Sequence, residues 1–87
     1  MKVLVKFVGS PYVITGIADT WLVFDKNEIM VRELLTKLEM ERGVKLNLEI
    51  ANIVVLVNGR RIEFMGGLDA ELKDSDEIVV ASIVGGG

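Results

Sequence analysis

The apolar residues of this chain change their spacing once, and that single change restricts what it can fold into. At Val3, Val5 and Phe7 they recur at every second residue, as in a strand with one buried face. At Val31, Leu34, Leu35 and Leu38 they stand at i, i+3, i+4 and i+7, the stripe of an amphipathic helix. Strand-like runs then return at Ile53 to Val57 and Ile78 to Ala81. A lone helix buries its stripe only against a sheet, so the chain is predicted to be α+β, with one main helix covering a mixed sheet of four to five strands. Its 87 residues supply one core, because separate cores usually need about 100 residues each.

Gly9-Ser10-Pro11 ends the first strand, since proline cannot donate to a ladder. A second strand is predicted at Thr20 to Phe24, with Trp21 and Phe24 read as core. From Tyr12 to Asp19 the period is indistinct; the reading extends the hairpin through them, with Gly16 at a bulge or turn. The helix is predicted from Glu28 to Arg42, capped by Asp25 or Asn27, braced by a Glu33–Lys37 pair and closed by Gly43. Val44 to Asn52 is a connection without a pattern. Asn58-Gly59 is the strongest short signal for a type I′ hairpin turn, and it joins Ile53–Val57 to a short edge strand from Arg60 to Phe64. Gly66-Gly67 breaks that strand, Leu68 to Leu72 reads as a turn or a single helical turn, and Asp74-Ser75-Asp76 is a polar turn. The last strand is apolar on both faces, which places it mid-sheet, beside and parallel to the first.

Composition removes several function classes. A net charge of −3, with Arg60-Arg61 as the only adjacent basic pair, argues against nucleic acid. The chain has no cysteine and no histidine, so disulfides, thiolate metal sites and the usual nucleophile–base pairs are out of reach. No apolar run approaches the ~20 residues that span a bilayer, and the start of the chain lacks the apolar core of a signal peptide. The expected setting is cytoplasmic, with no membrane partner. Asp69, Glu71, Asp74, Asp76 and Glu77 cluster in sequence, but their spacing fits no EF-hand and solvated acidic turns are the simpler reading. Gly66-Gly67 lacks the strand–glycine–helix context of a phosphate loop.

The order strand, strand, helix, strand, short strand, strand, ending in glycines, resembles the β-grasp fold of ubiquitin and its prokaryotic relatives. Leu56-Val57-Asn58-Gly59-Arg60, Ile62-Glu63-Phe64-Met65-Gly66-Gly67-Leu68 and Leu72-Lys73-Asp74-Ser75-Asp76-Glu77-Ile78 are similar to the second half of MoaD-type sulfur carriers. Val31-Arg32-Glu33-Leu34-Leu35 is similar to the start of that family's helix. Two departures stand out. Ser75 occupies a position where the family usually has glycine, a substitution expected to cost little. The tail, Ser82-Ile83-Val84-Gly85-Gly86-Gly87, is nearer to the thiamine-pathway carrier ThiS than to the proline-containing tail of MoaD.

The resemblance implies residues 1–82 as a β-grasp domain and 83–87 as a flexible tail whose terminal Gly87 carboxylate is the working group. Glycines have a narrow cross-section and nearly free backbone angles, so Gly85, Gly86 and Gly87 can thread a channel that a side chain would block. The implied partner is an adenylyltransferase related to ubiquitin-activating enzymes. Using ATP and magnesium, it would turn the Gly87 carboxylate into an acyl adenylate, from which a sulfur donor leaves a thiocarboxylate. The chain itself would bind no cofactor and no metal. It would feed molybdopterin synthase (through its large subunit) or thiazole synthase; alternatively, Gly87 is joined to lysines of target proteins. A third reading is a plain interaction domain with an inert tail, because this scaffold hosts many functions. Phe64, Met65, Ile83 and Val84 are expected to line a docking surface on the outer face of the sheet beside the tail.

Overall fold

A computed structural model describes residues 1–46 and 52–83. The elements, in order, are β1 (Lys2–Val8), α1 (Ser10–Thr15), β2 (Asp19–Val23), β3 (Glu28–Met30), α2 (Val31–Arg42), β4 (Ile53–Val57), β5 (Arg60–Arg61), 3-10 turns at Ile62–Phe64 and Gly67–Asp69, β6 (Glu71–Lys73) and β7 (Glu77–Ser82). Five strands form one sheet in the order β2-β1-β7-β4-β5, and β3 pairs with β6 separately. β1 and β7 are parallel and central, in the register Val5↔Ile78 and Phe7↔Val80. The other pairs in the large sheet, β1 with β2, β4 with β7 and β4 with β5, are antiparallel. This is the β-grasp arrangement: α2 lies across one face of a mixed sheet.

Alternation sorts the strands into two faces. Val3, Val5 and Phe7 of β1, Leu22 of β2, Val55 and Val57 of β4, and Ile78 and Val80 of β7 are buried beneath Val31, Leu34 and Leu38 of α2. Burying a leucine or valine fully contributes about 1.5–3 kcal/mol, so this face supplies most of the stabilisation. Gly43 closes α2 in the left-handed conformation at φ 66°. Asn58 and Gly59 both have positive φ, as a type I′ turn requires.

Several expectations give way to longer-range contacts. Ser10–Thr15 is a short helix rather than a continuation of the hairpin, with proline in its first turn and Gly16 as its left-handed cap. The main helix starts at Val31, because Glu28–Met30 pairs as a strand with Glu71–Lys73, which buries Ile29 and Leu72. Its N-terminus is held by Glu33, whose carboxylate accepts from the Met30 N–H at 2.8 Å, and not by Asp25 or Asn27. Glu33 pairs with Lys26 at 2.7 Å instead of Lys37, which turns to Glu41 and lies over the Phe24 ring. The edge strand ends at Arg61, and Ile62 turns into the core through a 3-10 turn that carries Phe64 off the sheet. Trp21 is not core: it is 48% exposed, because β2 pairs Leu22 with the buried Val3 and turns Trp21 to the outer face. Phe24 is half-buried against the core.

Candidate functional site

The parallel β1–β7 pair carries the chain out through the middle of the sheet, and the site is built around that exit. On one side Ser82 meets the β1–α1 junction: the Ser10 N–H donates to Ser82 Oγ at 3.3 Å. Gly9 makes this approach possible. Its φ of 74° and ψ of −138° suit glycine, and a Cβ there would lie 2.4 Å from Ser82 Oγ. On the other side the Ile83 N–H donates to the Asn52 carbonyl at 2.7 Å. The last described residues are thus held on both flanks. Val84, Gly85, Gly86 and Gly87 lie outside the described residues.

The outer face of the sheet carries an apolar surface up to this exit. Register places Val8, Ala81 and Val54 in one row across β1, β7 and β4, and Lys6, Val79, Leu56 and Arg61 in the next. Val8 is 53% exposed and Ile83 43%, while Val54, Leu56, Val79 and Ala81 are half-buried. No described helix covers this side, since α2 packs on the other. Charges border the patch: Lys6 pairs with Glu77 at 3.4 Å, and Arg61 with Glu63 at 2.6 Å.

Phe64 is 70% exposed. β5 runs parallel to β7 two strands away, so the turn that follows it heads for the same end of the sheet as the tail, about 10 Å to the side. Met65 is half-buried against the core, so of the adjacent pair only Phe64 offers a free apolar side chain. Val8, Val54, Leu56, Val79 and Ala81 were not singled out by sequence reasoning. Their signal was the parity of strands whose buried residues were already evident. Gly9 and Ser82 gave no such signal, because they meet across 73 positions of chain.

Four of the five clustered acidic residues, Asp69, Asp74, Asp76 and Glu77, have a structural partner. Asp69 accepts from Arg32 at 2.6 Å, and Asp76 accepts from the Asn58 side chain and the Lys73 N–H. Asp74 accepts from the Lys2 N–H at 2.8 Å while the Ser75 N–H donates to the Lys2 carbonyl, a two-way clasp between the starts of β1 and β7. The Lys2 amide, chiefly, holds the Asp74 carboxyl below its ordinary value of 3.8. Hydrogen bonds from Lys26, then Met30, lower Glu33, and the Arg61 guanidinium lowers Glu63. Among the described residues, no three acidic side chains gather as a metal site, and no helix is long and apolar enough to cross a membrane.

Residues 5–87 match the sequence model of the ThiS family. None of the curated proteins matches significantly. The chain is similar to solved structures over nearly its whole length. The small archaeal modifier protein 1 of Methanosarcina acetivorans is 25% identical, with a TM-score of 0.74 and coverage of 99% of this chain and 96% of that one. A chain of the BexX/CysO complex of Amycolatopsis orientalis is 29% identical, with a TM-score of 0.70 and coverage of 98% and 99%. A molybdopterin converting factor subunit 1 from Pyrococcus furiosus, at 24% identity, shares the fold, with a TM-score of 0.74 and coverage of 97% and 99%.

Proposed function

Because the chain belongs to the ThiS family, we propose that it is a sulfur carrier whose Gly87 carboxylate is adenylated and then converted to a thiocarboxylate. Its fold and relatives make it a ubiquitin-like protein of the carrier and modifier type. The observation that carries the finer reading is the family match running to residue 87, on a chain whose last strand leaves the centre of the sheet. In the first step the carboxylate attacks the α-phosphorus of magnesium-bound ATP and pyrophosphate departs. In the second a sulfur nucleophile attacks the acyl carbon and AMP departs. The chain's own part is to present the tail and dock the enzyme, because chemistry at a terminal carboxylate needs no side chain of the carrier.

The partner is an adenylyltransferase related to ubiquitin-activating enzymes, in the cytoplasm. It engages the outer sheet face around Val8, Val54, Leu56 and Val79, with Ile83, Val84 and Phe64 beside the tail and Met65 supporting Phe64. Gly85 and Gly86 thread its nucleotide channel. The acceptor is a synthase large subunit of the molybdopterin type or a thiazole synthase.

The test is incubation with such an enzyme, ATP, magnesium and hydrosulfide. Mass spectrometry is expected to find one oxygen of the C-terminus replaced by sulfur, and removing Gly86-Gly87 is expected to abolish the exchange. An unmodified C-terminus with enzyme shown active on its own carrier would refute the reading. A second reading, conjugation of Gly87 to lysines of other proteins, is supported by the likeness to a small archaeal modifier protein. It predicts Gly87-dependent adduct ladders in cells.

A further inference from the structure

The two edges of the main sheet are guarded very differently. β5 is two residues long and consists of Arg60 and Arg61, a short, charged edge of the kind that discourages strand addition. β2 is five residues long, Asp-Thr-Trp-Leu-Val, with neither proline nor lysine. Its pairing with β1 determines which of its backbone groups are free. The Phe7 N–H donates to Ala18 O and the Phe24 N–H to Met1 O, each at 2.8 Å. In the register Val3↔Leu22 and Val5↔Thr20, alternation directs the backbone groups of Thr20 and Leu22 toward β1. Those of Asp19, Trp21 and Val23 therefore point away from the sheet. Among the described residues nothing hydrogen-bonds to them. The side chains of the same residues lie on the outer face, with Val23 61% exposed.

We propose that β2 pairs with β2 of a second copy of this chain, joining two sheets into one across a two-fold axis at Trp21. A two-fold axis normal to the sheet makes the strands antiparallel and keeps both outer faces on the same side. Trp21 then opposes Trp21 of the second copy, a cross-strand aromatic pair, and Asp19 opposes Val23. The charges favour this occupant over an arbitrary strand. Lys2 stands next to Val23 on β1. Asp19 of one copy thus comes within two strand spacings, about 10 Å between backbones, of Lys2 of the other, a gap the two side chains bridge. The Lys2 ammonium already lies 4.8 Å from the centre of the Trp21 ring, at the seam. Because β7 lies two strands from β2, Ser82 and Ile83 stay clear of the seam. The pairing does not depend on the chemistry at Gly87.

Sedimentation equilibrium across a concentration series tests it. One strand edge is small beside a standard interface of roughly 1,600 Å², so the dimer is expected to form in the range of about 10 μM to 1 mM. Asp19→Lys is expected to weaken association about tenfold or more, and adding Lys2→Glu to restore it. Val23→Pro removes an outward N–H and spares the β1 ladder, so it is expected to give a folded monomer. In the wild-type protein, the amides of Trp21 and Val23 are expected to exchange more slowly as concentration rises. A monomer throughout the series, association indifferent to these substitutions, exchange independent of concentration, or binding of foreign extended peptides without self-association would each overturn the proposal.

Discussion

Gly9 bears the tightest steric constraint near the tail. Its positive φ favours glycine, and the Ser82 hydroxyl stands where a Cβ would project. Gly9→Ala is expected to cost about 1–3 kcal/mol in urea denaturation, most of it backbone strain because the hydroxyl can rotate away. If Gly87 is adenylated as proposed, the same change is also expected to raise KM for that step by displacing Ser82 at the chain exit. Ser75 presents the reverse case. It holds φ at 70°, where a side chain is strained. Ser75→Gly is expected to raise stability by about 0.5–1 kcal/mol, part of the strain relief being lost to a freer unfolded chain. Asp74 adds a pH dependence. Its carboxyl is lowered in the folded state, so its contribution is present above the ordinary value of 3.8 and disappears as pH falls through the folded value. Asp74→Asn is therefore expected to lower the melting temperature at pH 7, and the gap from wild type should close below about pH 4.

Among the elements, α2 was the most legible, because its stripe is long enough to display its period. Leu34 and Leu38 are fully buried as that stripe requires. Leu38→Ala is expected to cost about 2–5 kcal/mol by calorimetry or denaturant titration, the range for a leucine cavity in a packed core. α2 starts at Val31 and not at Glu28 because Glu28–Met30 has a partner over 40 residues away in Glu71–Lys73, which local pattern does not contain. α1 is illegible in the sequence for another reason. Six residues show less than two helical turns of periodicity, leaving Pro11 and Gly16 as the only clues. In Thr20-Trp21-Leu22-Val23-Phe24 the apolar run is unbroken, so composition could not say whether Trp21 or Leu22 faces inward. The pairing with Val3 decides it.

At the scale of the whole molecule, parallel central strands give the sheet one end from which the chain leaves, with an uncovered apolar face leading to it. If that face docks the activating enzyme, Val8→Glu is expected to leave melting within ~0.5 kcal/mol of wild type, as an exposed substitution should. The same change is expected to raise KM for adenylation about tenfold in a pyrophosphate-release assay. Unchanged kinetics would move the docking surface elsewhere.

Sequence alone determined the α+β class, the helix stripe, the hairpin at Asn58-Gly59, the central placing of the first and last strands and the likeness to the carrier family. Each of these rests on periodicity, turn chemistry or motif, which act between near neighbours. Tertiary structure alone decided the pairing of β3 with β6, the outward turn of Trp21, the contact between Gly9 and Ser82 and the rows of the outer face. Those depend on register between strands far apart in the chain, and a shift of one residue in register exchanges the buried and exposed faces.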